Sequence, residues 1–215
     1  MKLYSHFQSS AAYRVRIALH AKALTFETHA VHLLRDGGEQ LSEAYTAVNP
    51  AALVPSLDDN GVIVRQSLAI LEYLEEAYPQ TTRLLPVSAA GRATVRAMAL
   101  DIACDVHPLS NLRVLRYLSR QLSVAEPERK AWSRHWVEKG LAALEKLTTQ
   151  HSTGGRYCFE DELSIADVCL IPQLANARRY ECDLSQFPTL MAIEAHCLAL
   201  DAFQKAAPAA QPDAN

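Results

Sequence analysis

The chain changes character at Pro79, and no other feature restricts its folds as much. Up to that proline, strand and helix signals alternate. Lys2–Ser5 reads as a strand and Ala11–Lys22 as a helix, with Ala11, Val15, Ala18 and Leu19 on one face. Thr25–Val31 is a second strand, and Leu41–Val48 a short helix ended by Asn49-Pro50. Val54–Asp58 and Val62–Arg65 flank the turn residues Asp59-Asn60-Gly61, which is a hairpin signal. Ser67 suits the N-cap of a helix over 68–78. Beyond a linker, 80–87, the pattern is helical almost throughout. Val95, Met98, Ala99, Ile102, Val106 and Leu109 follow one three-to-four repeat, and Trp132, Trp136, Leu141, Leu144 and Leu147 another. Gly154-Gly155 interrupts the helices, and Ser164-x-x-Asp167 opens the next one as a capping-box-like start. Pro172 predicts a kink in it, and Phe187-Pro188 begins a further helix. The tail around Gln211-Pro212-Asp213 is expected to fray. The expected organisation is a small α/β domain, residues 1–80, followed by an all-helical domain, residues 88–215.

Composition narrows the function classes. With 215 residues, 49% of them hydrophobic, the chain can bury a sizeable core. A formal net charge of -3 with no basic excess argues against a nucleic-acid partner. The longest apolar runs fall short of a membrane span. Met1-Lys2-Leu3-Tyr4 begins a strand rather than an apolar leader. The five cysteines are scattered and form no C-x-x-C, so reduced thiols in a cytosolic protein are expected. The eight histidines show no metal-ligand pattern either, and no metal is expected.

Several residues could carry chemistry. Ser9 and Ser10 stand where a loop enters the first helix, and either reads as a helix cap. The same place, with free N–H groups and a positive dipole end, stabilises an anion such as a thiolate. Val54-Pro55 precedes a strand as a turn proline would, and the helix start at Gln66-Ser67 suits a carboxylate. His107 and Asn111 are four apart and expected on one side of a helix, with Arg113 beyond them. Arg178-Arg179-Tyr180 places two cations near a helix end, where they complement the dipole.

The order βαβ–α–ββα is that of a thioredoxin-like domain. Ser9-Ser10-Ala11-Ala12-Tyr13-Arg14-Val15-Arg16-Ile17-Ala18-Leu19 resembles the signature of zeta-class glutathione transferases, the family of the maleylacetoacetate and maleylpyruvate isomerases. The likeness extends over Asn49-Pro50…Leu53-Val54-Pro55, Gln66 to Glu76, Asp105 to Asn111, and the terminal Ala207-Pro208…Gln211-Pro212-Asp213. There are departures. Ala11 stands where the family usually has Cys, Gln8 where it often has Arg, and Leu112 where the maleylpyruvate branch often carries another Arg.

The resemblance implies the glutathione transferase fold: a thioredoxin-like α/β N-terminal domain and an all-α C-terminal domain. It implies glutathione as cofactor, with Ser9, or in its place Ser10, stabilising the thiolate. A cis Val54-Pro55 bond would present Val54 to the cysteinyl main chain. Gln66 and Ser67 would bind the γ-glutamyl end, and His107 would lie near glutathione. Asn111, Arg113 and Arg179 would bind a dicarboxylate keto acid. The implied reaction is cis–trans isomerisation of maleylacetoacetate or maleylpyruvate, in a homodimer. Two other functions remain open on the same scaffold. One is glutathione conjugation, dehalogenation or peroxide reduction on other electrophiles; the other is a non-catalytic interaction module.

Overall fold

The computed structural model describes residues 1–214. It forms two compact units, Met1–Leu84 with the segment from Leu198 onward, and Leu85–Cys197.

The first unit is built on four strands. In chain order it runs β1 (Lys2–Ser5), α1 (Ser10–Ala21), β2 (Glu27–Ala30), α2 (Glu43–Val48), β3 (Ser56–Asp59), β4 (Val62–Arg65) and α3 (Ser67–Ala77). The sheet order is β2-β1-β3-β4; β1 is parallel to β2 and antiparallel to β3, which is antiparallel to β4. Leu3 pairs with Leu57 at the sheet centre, and both are fully buried, as are Ile70, Leu71 and Leu74 of α3. The β3–β4 hairpin is short because Asn60 (φ 53°) and Gly61 (φ 93°) both take the left-handed conformation that a two-residue primed turn requires. Two sequence expectations shift here. Ser67 is the first helical residue of α3 rather than its cap; Gln66, at φ 71°, holds the cap position. On α1 the buried stretch is Ala12 to Leu19, and Ala11 lies outside it.

The second unit contains α4 (Ala89–Leu100), α5 (Leu112–Arg120), α6 (Glu126–His151), α7 (Ile165–Arg179) and α8 (Pro188–Leu198). Val95, Met98, Ala99, Ile102 and Val106 are buried as the repeat predicts. Their helix is not continuous, however. A π-helical turn, Asp101–Val106, and a 3-10 turn, His107–Ser110, separate α4 from α5. Gly140 of α6 lets that turn come close, since a Cβ there would meet Val106 Cγ2 at 2.1 Å. The start of α7 is held by Asp167, whose carboxylate accepts from Ser164 N and Oγ (both 2.8 Å) and from Cys158 N (2.6 Å). Helix α7 runs on as one element through Pro172, with Ile165 to Leu174 buried.

The end of the chain differs most from expectation. Assigned by sequence to the helical domain, the segment from Leu198 belongs to the first unit. Its helix α9 (Asp201–Ala206) packs on α1, with Phe203 and Ala206 fully buried. The tail is tied down rather than frayed: Gln211 Nε2 donates to the carbonyls of Lys205 (2.9 Å) and Ala207 (3.0 Å), and Asp213 accepts from Phe7 N (2.9 Å). No helix among the described residues is long and apolar enough to cross a membrane.

Candidate active site

The loop between β1 and α1 presents the first candidates. Ser9 caps α1, its Oγ accepting from Ala12 N at 3.2 Å. An accepting hydroxyl keeps its own proton to donate, so the cap and a second acceptor do not compete. Ser9 is half-buried, whereas Ser10 is 5% exposed and lies inside the first turn. No acidic side chain stands in that turn to weaken its positive end.

The loop is fixed from beneath by Arg16, which is fully buried. Its guanidinium donates to Ser5 Oγ (3.0 Å), to the carbonyls of His6 (3.3 Å) and Phe7 (3.0 Å), and to Ala206 O (2.9 Å). Burial lowers its pKa to about 10, so it stays cationic near neutrality. His6 is also buried, and its pKa is lowered by that burial and then by His32. Sequence reasoning missed Arg16, because an arginine on a helix is ordinarily solvated.

A second cluster surrounds the other two motifs of this unit. The Val54–Pro55 bond is cis, and both residues are buried. The carbonyl before them, Leu53 O, accepts from Tyr45 Oη (2.6 Å) and Asn49 Nδ2 (2.7 Å). Helix α3 begins without a side-chain cap, unlike α1, α2 and α4, which Ser9, Ser42 and Ser88 cap. Its first N–H groups are therefore available to an anion. Ser67 Oγ accepts from Arg14 Nη1 at 3.2 Å, which again leaves a hydroxyl proton to donate. Arg14 is 1% exposed and was not singled out by sequence. It joins the Ser9 helix to the start of the Ser67 helix. An uncapped helix start backed by a buried cation and flanked by Gln66 fits a γ-glutamyl carboxylate, and a hydroxyl on the start of α1 fits a thiolate. The donor set thus suits glutathione.

In the helical unit the candidates separate. His107 and Asn111 do not share a helix, because His107 opens the 3-10 turn and Asn111 (ψ 146°) caps α5. Their side chains still meet, Asn111 Nδ2 lying 3.4 Å from His107 Nε2, while Asn111 Oδ1 accepts from Arg113 N. Arg113 itself is exposed. The two arginines at the end of α7 have different fates. Arg178 forms a two-bond pair with the carboxylate of Glu194 on α8, whose side chain is 4% exposed. Arg179 lines a cleft of about 410 Å³ with Leu112, Leu115 and Arg116 of α5 and Tyr180. Arg113 is not among its lining residues.

Residues 3–82 match the family described as glutathione S-transferase, N-terminal domain. A probable maleylacetoacetate isomerase of Vibrio cholerae serotype O1 is 51% identical over 99% of this chain and 97% of its own length. The holo structure of a maleylpyruvate isomerase, described as a bacterial zeta-class glutathione S-transferase, superposes with a TM-score of 0.96 at 44% identity over the whole of both chains. A maleylacetoacetate isomerase of Methylobacterium extorquens AM1, solved with malonate and glutathione bound, gives 0.94 at 36% identity, again over all of both chains. An α/β unit with an anion-ready first helix, joined in sequence to a helical unit and matched along its full length, places the chain: it belongs to the zeta-class glutathione S-transferases, the family that holds the maleylacetoacetate and maleylpyruvate isomerases.

Proposed function

We propose that this chain catalyses the glutathione-dependent cis–trans isomerisation of a maleyl keto acid, maleylacetoacetate or maleylpyruvate. The observation that carries the reading is Ser9, a half-buried hydroxyl that already accepts from Ala12 N and so has its proton to give. Bound glutathione would supply a thiolate: its addition to one alkene carbon sends the alkene electron pair to the conjugated carbonyl and makes the bond single, so the bond can rotate, and expulsion of the thiolate then restores the alkene.

The chain's own residues do the rest. Ser9 donates to the sulfur and favours its charged form, and the N-terminal dipole of α1 adds to that preference. Ser10, buried in the first turn, is the poorer candidate. Arg16 holds the Ser5 hydroxyl and the His6 and Phe7 carbonyls in place, so the Ser9 hydroxyl is aimed before glutathione arrives. The open start of α3, with Ser67, Gln66 and the charge of Arg14 behind, holds the γ-glutamyl carboxylate, and Val54 meets the cysteinyl main chain. His107, whose ring meets Asn111, is assigned to glutathione by the family resemblance alone. Arg179 pairs with a substrate carboxylate, an interaction that is bidentate and geometrically selective. That a relative binds malonate together with glutathione supports a diacid in this role. The same family membership supports a homodimer and a cytoplasmic enzyme.

Substitution of the two serines tests this. Ser9→Ala should cut kcat roughly tenfold or more and move the acid limb of the pH–rate profile upward, with little change in glutathione affinity. Ser10→Ala should leave the profile in place. Normal turnover by Ser9→Ala would remove Ser9 from the chemistry.

A further inference from the structure

The segment from Leu198 onward belongs to the first unit and runs up to the loop that carries Ser9. We propose that Asp213, on this segment, is a positioning residue for Ser9: it holds the β1–α1 loop in the conformation that aims the Ser9 hydroxyl at a thiolate. The proposal rests on the thiolate reading of Ser9 for its chemistry and on the bonds of the loop for its geometry.

The loop is a tight turn between the end of β1 at Ser5 and the start of α1 at Ser10. Ser9 N donates to His6 O at 2.9 Å, which closes the turn, and Ser9 O accepts from Tyr13 N at 2.8 Å, which starts the helix. Two side chains from outside the turn hold what lies between. Arg16 takes carbonyls, donating to His6 O (3.3 Å) and Phe7 O (3.0 Å). Asp213 Oδ2 takes an N–H, accepting from Phe7 N at 2.9 Å. The His6–Phe7 peptide is thereby gripped at its oxygen by a guanidinium and at its N–H by a carboxylate. Charge-assisted bonds of this kind are roughly twice as strong as neutral ones. Rotation of that peptide would swing the His6 carbonyl, and with it the Ser9 N–H bonded to it.

The carboxylate is set for this work. Its side chain is 12% exposed, and Oδ2 lies 3.7 Å from His6 Nδ1. Burial lowers the Arg16 pKa, and Asp213 is the largest influence opposing that fall. The strap behind it is stiff. Phe203 and Ala206 are fully buried where α9 packs on α1, and Gln211 Nε2 ties the strap to its own Lys205 and Ala207 carbonyls. Arg16 Nε also donates to Ala206 O at 2.9 Å, so one arginine bonds both loop and strap, and Asp213 completes the ring from strap to loop. Covering α1 takes apolar contacts alone; a part-buried carboxylate costs desolvation, which its bond to the loop offsets.

The charge of Asp213 gives the test its sign. A carboxylate disfavours a nearby thiolate, so loss of the charge alone lowers the thiol pKa, whereas loss of the Ser9 geometry raises it. The thiol pKa of bound glutathione is read from the ultraviolet absorbance of the thiolate. Asp213→Ala should raise it by about 0.5–1, cut kcat at neutral pH about threefold to tenfold with recovery at alkaline pH, and leave glutathione affinity within about twofold. Asp213→Asn keeps an acceptor without the charge and should restore the wild-type pKa or fall below it. Backbone hydrogen exchange over residues 6–9 should quicken in the alanine variant and not in the asparagine variant. Tyr73→Phe is the control: it removes a 2.9 Å bond to Asp59, next to the Asp58 that pairs with Lys2 at the end of β1 away from the loop, and should leave the thiol pKa alone. A pKa unmoved or lowered in Asp213→Ala, raised equally in Asp213→Asn or Tyr73→Phe, or unquickened exchange in Asp213→Ala would each overturn the proposal. Ser9→Ala separates the two readings. If it raises the thiol pKa and Asp213→Ala does not, the strap fails and the Ser9 chemistry stands. If Ser9→Ala leaves the pKa unmoved, the Ser9 chemistry fails and takes the strap's role with it. If both raise it, Asp213→Ala should add no further rise to Ser9→Ala, because it acts through that hydroxyl; a further rise would overturn the route through Ser9.

Discussion

Ser9 holds two roles that a single substitution confuses. Its Oγ caps α1 and, in the proposed chemistry, donates to sulfur. Loss of a serine cap to alanine costs about 1 kcal/mol, whereas loss to glycine costs only a few tenths. Ser9→Ala and Ser9→Gly should therefore lose rate equally, while only the alanine variant loses about 1 kcal/mol in urea unfolding. A glycine variant with full activity would mean that the start of α1 alone stabilises the thiolate. The neighbouring arginines teach a different lesson. Arg14 and Arg16 lie between apolar residues at helical spacing, and both are buried to within 1% of full. Nothing in their spacing announces this, because burial of a guanidinium depends on acceptors brought from Ser67, from the His6–Phe7 loop and from Ala206, all distant in sequence or hidden in a turn.

At the level of elements, what could be read from the sequence was whatever local chemistry decides. The four strands, the Asn60-Gly61 turn, the Ser9 cap and the Asp167 start of α7 all follow from patterns within a few residues, and all are present. The places that differ are decided by long-range packing. The repeat from Val95 to Leu109 continues the helical period, yet the backbone winds into π and 3-10 turns, with Gly140 of α6 close against Val106. The terminal segment reads as a polar, proline-bearing tail, yet it is held at both ends of its path. Asp213 bonds the Phe7 N–H in the loop that carries Ser9, and Ala206 O accepts from Arg16. That strap gives a prediction belonging to the element. Asp213→Ala strands a part-buried N–H, so it should cost about 1 kcal/mol of stability in the first unit. Asp213→Asn, which can still accept, should cost less. Calorimetric unfolding checks this, and two silent variants would mean that the tail is loose in solution.

For the whole molecule, the residues proposed for glutathione, Ser9, Gln66, Ser67 and Arg14, belong to the first unit, and Arg179, proposed for the substrate, belongs to the second. The proposed homodimer would have closed two-fold symmetry, the commonest assembly. Light scattering at micromolar concentration should give about twice the 23.7 kDa chain mass; a monomer alone would contradict that expectation. In the proposed reaction glutathione is used as a catalyst and returned. It is tested by following the cis and trans isomers of a maleyl keto acid by proton NMR, with glutathione at a small fraction of the substrate concentration. Complete conversion to the fumaryl isomer is expected, with many turnovers per glutathione, no loss of free thiol at the end, and no reaction with S-methylglutathione. Conversion that stops when glutathione is used up one for one, or that proceeds as well without it, would rule out a catalytic role for glutathione.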